Sequence, residues 1–392
     1  MNISTINNKL FLAWIIGMLF NACQPISESN SYPHDMGAEK ASLVDRQTPK
    51  RSFAKFEPED GKVILFVGQE LDAIGGLKEF NDGYLDHFKK PAGWTAYTSL
   101  MPGDSTTFGG ALKGLDGIWS TDTWGDGYSN MSLQAAHFDN MALAIGLAMV
   151  NREAAVANGD LDHLVEKFAK YLKSLAPRPI FLRIGYEFDG HSWNHYDRAN
   201  YLKAYRRIKD KLDDMGCTNV AYVWQSTGWV SNLEMLEEWY PGDEYVDWCG
   251  FSFFSRWEEQ KMIAFARKKG KPVFIAEASP NISDHTVKFD GDTKETLLSN
   301  PQQAREAWEK WFMPFFATID ENPDLVKAVS YINCNWKEHD LWKENPTFRD
   351  IDARLQTSEF ISEKWQNIIS QEKYLHSSPD LYTQLRIGEK IN

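Results

Sequence analysis

From Lys62 onward the chain alternates short apolar runs with longer segments of helical period. The apolar runs are Lys62 to Val67, Gly93 to Thr98, Met141 to Met149, Ile180 to Ile184, Asn219 to Gln225, Val246 to Phe253, Pro272 to Ala276 and Leu325 to Ile332. Each has the length of a strand. Between them, Asp197 to Met215 places Tyr201, Leu202, Tyr205, Ile208, Leu212 and Met215 on one helical face. Asp197 stands there as N-cap and Gly216 just past the end. Leu161 to Leu175, Trp257 to Lys269 and Gln302 to Phe316 follow the same period. Eight such units, with no Gly-rich phosphate loop after the first run, favour an α/β fold of the closed (β/α)8 TIM-barrel type over a doubly wound sheet. No internal repeat is visible. The pattern predicts one domain over 53–392, with the tail after Asp350 adding a helix.

The first fifty residues read differently. Lys9 precedes the eleven-residue apolar run Leu10 to Phe20, which is short for a membrane span of about 20 residues and suits an export signal over 1–22. Leu19 to Cys23 resembles a bacterial lipobox, in which cleavage before the cysteine exposes a thiol for lipidation at Cys23. Residues 23–52 are polar without apolar period and read as a flexible tether. The expected location is the bacterial cell envelope, with the chain a monomer anchored to a membrane through Cys23.

Composition narrows the function. With 42 basic against 55 acidic side chains the net charge is −13, and no basic stripe is present, so a nucleic-acid partner is excluded. Fifteen Trp, fifteen Tyr and 23 Phe exceed what a core requires, and such rings stack on the C–H faces of sugars. Beyond Cys23 only Cys217, Cys249 and Cys334 remain, without a CxxC, and the nine His form no HExxH, so spacing gives no metal site and no disulfide framework.

Chemistry in a barrel of this kind sits at the C-terminal strand ends. Glu187 follows the fourth run and Glu277 ends the seventh, 90 residues apart, which is three units of 30 where a barrel has about 31. Both belong to one bowl. Paired carboxylates there suit glycoside hydrolysis, one acting at the anomeric carbon while the other protonates the leaving oxygen. Tyr186, Phe188 and Trp193 around Glu187 would desolvate it and keep its proton, whereas Arg183 would hold Glu277 ionised. Trp119, Trp124, Tyr128, Trp224, Trp229 and Trp257 are candidate stacking rings, and Asp126, Asn194 and Gln225 candidate hydroxyl partners.

The stretch Arg183 to Gly190, followed by Trp193 to Tyr196, resembles the acid/base motif of family 26 glycoside hydrolases, a barrel family with catalytic Glu after strands four and seven. Asn219 to Ser226, Trp239 to Asp247 and Lys271 to Glu277 are similar to that family's fifth, sixth and seventh strands. The resemblance implies a retaining double displacement without cofactor, in which Glu187 is acid/base and Glu277 nucleophile. Arg183, Tyr186, Trp193, Asn194, Trp224, Gln225 and Trp124 are the expected substrate-binding residues, and the resemblance places Trp336 under the sugar at the cleavage point. Two positions depart from the family's mannanases. Tyr186 replaces a His before the acid/base, which looks more like the members acting on β-1,3-xylan. Phe254 stands where a Tyr would donate to the nucleophile, leaving Ser252 or Gln225 as substitutes. The resemblance thus implies a retaining endo-β-glycanase acting on a plant or algal polysaccharide of β-1,3-xylan or β-mannan type. Without a substitute donor, a glycan-binding lipoprotein on a barrel scaffold becomes the alternative.

Overall fold

The structure, a computed structural model, describes residues 52–100, 115–123, 127–254, 259–280, 296–342 and 348–388. The expected signal, Cys23, Trp124, Asp126 and Trp257 lie outside the described residues.

Eight parallel strands close into a barrel: β1 (Val63–Gly68), β2 (Gly93–Ser99), β3 (Ala142–Ala148), β4 (Ile180–Ile184), β5 (Val220–Ser226), β6 (Trp248–Phe253), β7 (Val273–Ala278) and β8 (Val326–Ile332). Each pairs with the next, and β8 returns to β1 from Ala328 opposite Ile64 to Ile332 opposite Gly68. Every one falls on a predicted apolar run, because strands covered on both faces must be apolar almost throughout. The helix α1 (Asp162–Ser174) precedes β4, and α2 (Arg198–Asp214) precedes β5. Asp197 caps α2 by accepting from the Asn200 N–H at 2.9 Å, and Gly216 beyond its end takes φ 74°, as the sequence predicts. The helix α3 (Glu259–Lys269) links β6 and β7. Ahead of β8 the helix is not regular: Pro301–Ala307 passes through a π-helical turn, Trp308–Phe312, into Met313–Asp320. Pro314 lacks the N–H that would continue an α-helical ladder, and the turn widens just before it. In the tail, α4 (Glu359–Ile369) buries Ile361, Trp365 and Ile369, and Tyr374 and Leu375 pair beside the start of β1.

Alternation along the strands divides two cores. Val63, Leu65 and Val67 of β1, Leu143, Ile145 and Leu147 of β3, and Tyr222 and Trp224 of β5 belong to the layer between barrel and helices. Phe66, Phe181, Trp248 and Phe274 point inward and plug the barrel, with ring centroids 5.1 to 5.4 Å apart for Phe66 with Phe274, Phe181 with Trp248 and Phe66 with Phe181. That aromatic plug is the dry floor on which the polar layer rests.

Candidate active site

Above the floor the inward positions turn polar. Thr95 on β2 and Ser330 on β8 share a buried hydrogen bond of 2.8 Å. Arg183, inward on β4, is fully buried and meets Gly146 of β3, where a Cβ would stand 2.5 Å from the Tyr97 ring and 3.0 Å from Nη2 of Arg183. The missing side chain is what lets the guanidinium lie against Tyr97, 4.7 Å from its centroid, with the Tyr186 ring at 5.3 Å. Arg183 Nη1 donates to Glu277 Oε1 at 2.5 Å and to Gln225 Oε1 at 3.0 Å. Gln225, inward on β5, uses its own Nε2 to reach Glu277 Oε1 at 3.3 Å and Ser252 Oγ at 3.0 Å. Ser252 in turn donates to Glu187 Oε1 at 2.6 Å. The two glutamates are therefore joined by one hydrogen-bonded array through Gln225 and Ser252, and among the described residues no hydrogen bond ends on Oε2 of Glu277.

Glu187 leaves β4 through Gly185 in a tight turn and itself takes φ 53°, a left-handed conformation that a non-glycine residue adopts at a cost of about 1–3 kcal/mol. Its surroundings hold it there. Asn194 Nδ2 donates to the carbonyls of Tyr186 at 3.0 Å and Glu187 at 2.7 Å, and the Phe188 N–H reaches the Gln225 carbonyl at 3.2 Å. Trp193 Nε1 donates to Glu187 Oε2 at 3.0 Å. Two residues on, Asp189 ties the turn to β5 by accepting from Ser226 Oγ at 2.6 Å and from the Thr227 N–H at 2.7 Å.

This environment separates the two acids. Desolvation, and next the charge of Glu277, push the Glu187 carboxyl up to about 8, against the hydrogen bonds from Ser252 and Trp193. Glu187 is thus poised to hold a proton at neutral pH, while Glu277 faces a fixed cation that cannot be deprotonated. One group suits proton donation and the other nucleophilic attack.

The structure sorts the remaining sequence candidates. Arg183, Gln225 and Asn194 lie at the site but are buried, and their polar atoms engage the carboxylates or the backbone of the turn. They position the acids and do not line the cleft as substrate contacts. Trp224 is corrected outright. It neighbours Gln225 on the strand, so it faces the opposite way, fully buried and stacked on Phe188 at 4.4 Å. Trp336 is also not an open platform: only 2% exposed, it packs against Phe348 at 4.7 Å, Trp342 at 5.6 Å and Phe254 at 6.1 Å, and donates to Ser279 Oγ at 3.3 Å. Trp119 is exposed although it packs edge-on to Tyr171 with Lys167 over its ring, and Trp229 is exposed after β5. Gln225 fills the donor position that Phe254 leaves open, and Ser252 serves Glu187 instead. Tyr97 and Asp189 were missed. Tyr97 was within reach of the rule that strand C-termini carry function, since it lies two residues before the end of β2.

Comparison with known proteins places this geometry. Residues 126–315 match the sequence model described as "Glycosyl hydrolase family 26". A β-1,3-xylanase of an Alcaligenes species is 29% identical over 344 residues, covering 84% of this chain and 68% of its own. β-1,3-Xylanase TXYA of a Vibrio species is 29% identical over 347 residues, covering 85% and 70%. Among solved structures, a family 26 β-mannanase from Bacteroides ovatus shares the fold with a TM-score of 0.52, at 13% identity, over 82% of this chain and 93% of that one.

Proposed function

We propose that the chain is a member of glycosyl hydrolase family 26 and a retaining endo-β-glycanase whose substrate is a β-1,3-xylan-type polysaccharide. The observation that carries the reading is the array joining Arg183, Glu277, Gln225, Ser252 and Glu187, which prepares one carboxylate and one carboxylic acid in a single bowl. In the first step Glu277 attacks the anomeric carbon through Oε2, while Glu187 gives its proton to the departing glycosidic oxygen. A covalent glycosyl-enzyme forms and the leaving sugar departs as an alcohol. In the second step Glu187, now ionised, takes a proton from water. The water oxygen replaces Glu277 on the sugar, and both acids return to their starting states.

The preference for β-1,3-xylan rests on the two xylanase relatives and on Tyr186 before the acid/base, packed edge-on to Tyr97 at 5.4 Å. The binding-only alternative drew on the absence of a donor at Phe254, and Gln225 with Arg183 supplies donors to the same carboxylate. Incubation with β-1,3-xylan, β-1,4-xylan, mannan and β-glucans, read by reducing ends and by the anomer first released in proton NMR, tests both parts. Release of the retained anomer from β-1,3-xylan is expected. Retention on a polysaccharide gel without product from any substrate would leave a binding protein. We further propose that Cys23 carries a lipid anchor, on the lipobox that precedes it.

A further inference from the structure

At the junction of β1 and β8, three side chains of different chemistry converge outside the carboxylate array. Glu70 lies two residues after β1, and Cys334 two residues after β8. A short 3-10 turn, Trp336–Glu338, carries the chain back so that His339 faces both. His339 Nε2 stands 3.5 Å from Glu70 Oε1 and 3.4 Å from Cys334 Sγ, and one donor atom from each residue lies within 4.8 Å of the others. Glu70 and Cys334 are buried, and the His339 side chain is 10% exposed.

We propose that Glu70, Cys334 and His339 form a zinc-binding site that ties the loop after β1 to the loop after β8. Three features favour a metal over a nucleophilic triad. First, carboxylate and sulfur approach the same ring nitrogen, whereas a Cys-His-Glu relay needs the two on opposite nitrogens. One N–H cannot serve both well, but an ion placed among the three can. Second, zinc bonds of about 2.0–2.3 Å arranged tetrahedrally put ligand atoms roughly 3.3–3.7 Å apart; the two separations from His339 Nε2 fall there, and the ligand atoms all lie within 4.8 Å of one another. Third, a thiolate, a carboxylate and a neutral imidazole around a dication sum to zero charge, which suits a buried site. Thiolate with imidazole selects zinc over calcium or magnesium.

Gly127 closes over the same group. A Cβ there would meet Glu70 Cγ at 2.2 Å and His339 Cε1 at 2.9 Å, and its φ of 98° is open to glycine. Backbone from the loop after β2 therefore covers the site. Motif spacing could not find it, because the ligands come from opposite ends of the chain. The proposal stands independently of the glycanase reading.

The experiment uses the full chain without a polyhistidine tag, stripped with chelator and then offered zinc or cobalt. Mass spectrometry of the metal should find one zinc per chain. Cobalt should give a thiolate charge-transfer band in the near ultraviolet and intense tetrahedral bands in the visible. Saturating zinc should raise Tm by roughly 5 °C. Cys334→Ser should lose the charge-transfer band and bind zinc at least tenfold more weakly. His339→Gln, at the more accessible ligand, should weaken zinc similarly and decides the matter if the serine variant does not fold. Wild-type protein that takes up less than a tenth of an equivalent, cobalt protein without a thiolate band, or unchanged zinc uptake by the folded variants would overturn the site.

Discussion

Arg183 and Glu277 meet at 2.5 Å across the barrel mouth although strict alternation along β7 would turn Glu277 away from it. Val273 and Ile275 face the helices, so a regular strand would send residue 277 the same way. The register shows why it does not. On β6, Phe251 and Ser252 oppose Ile275 and Glu277, and on β8, Val329 and Tyr331 oppose Ile275 and Ala278. β7 carries one extra residue against both neighbours. Ala276 and Glu277 then both point inward before Ala278 resumes the outer face. A bulge that re-aims a side chain at an active site is a recurring use of this irregularity.

The pair is buried on both sides, with Arg183 fully so and Glu277 6% exposed. Breaking one half of such a pair strands a charge, at a cost of about 3–5 kcal/mol. Arg183→Met should lower unfolding stability by that amount in urea titration and reduce turnover below detection. Arg183→Met with Glu277→Leu should recover most of the stability and none of the activity. If the single variant is as stable as the parent, the pair does not hold the mouth together.

The raised Glu187 acid sets a pH dependence. Since it holds its proton to about 8, kcat/KM should stay level through neutrality and fall above that value, as the pair loses the proton needed by the leaving group. Its folded value lies above its ordinary one, so stability present in acid is lost as pH rises through 8. Glu187→Gln should accordingly raise Tm at pH 9 and leave it unchanged at pH 4. Trp193→Phe removes a hydrogen bond that favours the charged form, and should move the alkaline limb higher still. A limb that stays in place in that variant would show that the indole does not act on the acid.

The strands and α2 were legible because burial on both faces and helical period are properties of local sequence. The positions of Glu187 and Glu277 were legible because unit length in a barrel fixes which bowl they share. Which way a side chain turns was not. Trp224 and Gln225 are neighbours, and only pairing register shows that Gln225 enters the barrel while Trp224 stacks on Phe188 outside it. The bulge at β7 is likewise a matter of three strands together. Ser252 was read as a partner for Glu277, but its oxygen lies between Gln225 and Glu187, a relation that no spacing in the chain expresses.

The proposed lipidation of Cys23 makes a prediction of its own. Two or more acyl chains hold a protein at a membrane where one is marginal, so the mature protein should sediment with membranes and enter the detergent phase. Cys23→Ser should release it, with kcat/KM on soluble oligosaccharides unchanged, because the polar stretch after Cys23 separates the anchor from both glutamates in sequence. Wild-type protein in the soluble fraction with an unmodified Cys23 would leave only an ordinary secretion signal.

The roles of the two glutamates separate by leaving group. In the proposed mechanism Glu277 bonds to the anomeric carbon, so Glu277→Ala should form no glycosyl-enzyme and every glycoside should lose turnover, activated aryl glycosides included. Glu187→Ala leaves the attacking group and its Arg183 and Gln225 donors in place. An aryl leaving group needs little protonation, so the first step should persist on such substrates while the polysaccharide rate falls by about 10²–10⁴. The glycosyl-enzyme then accumulates, because no base activates water. Azide needs no such base and should attack the intermediate in the space left by the carboxylate, giving a β-glycosyl azide and restoring turnover. Azide rescue of Glu277→Ala with an α-glycosyl azide, and none of Glu187→Ala, would assign nucleophile and acid the other way round.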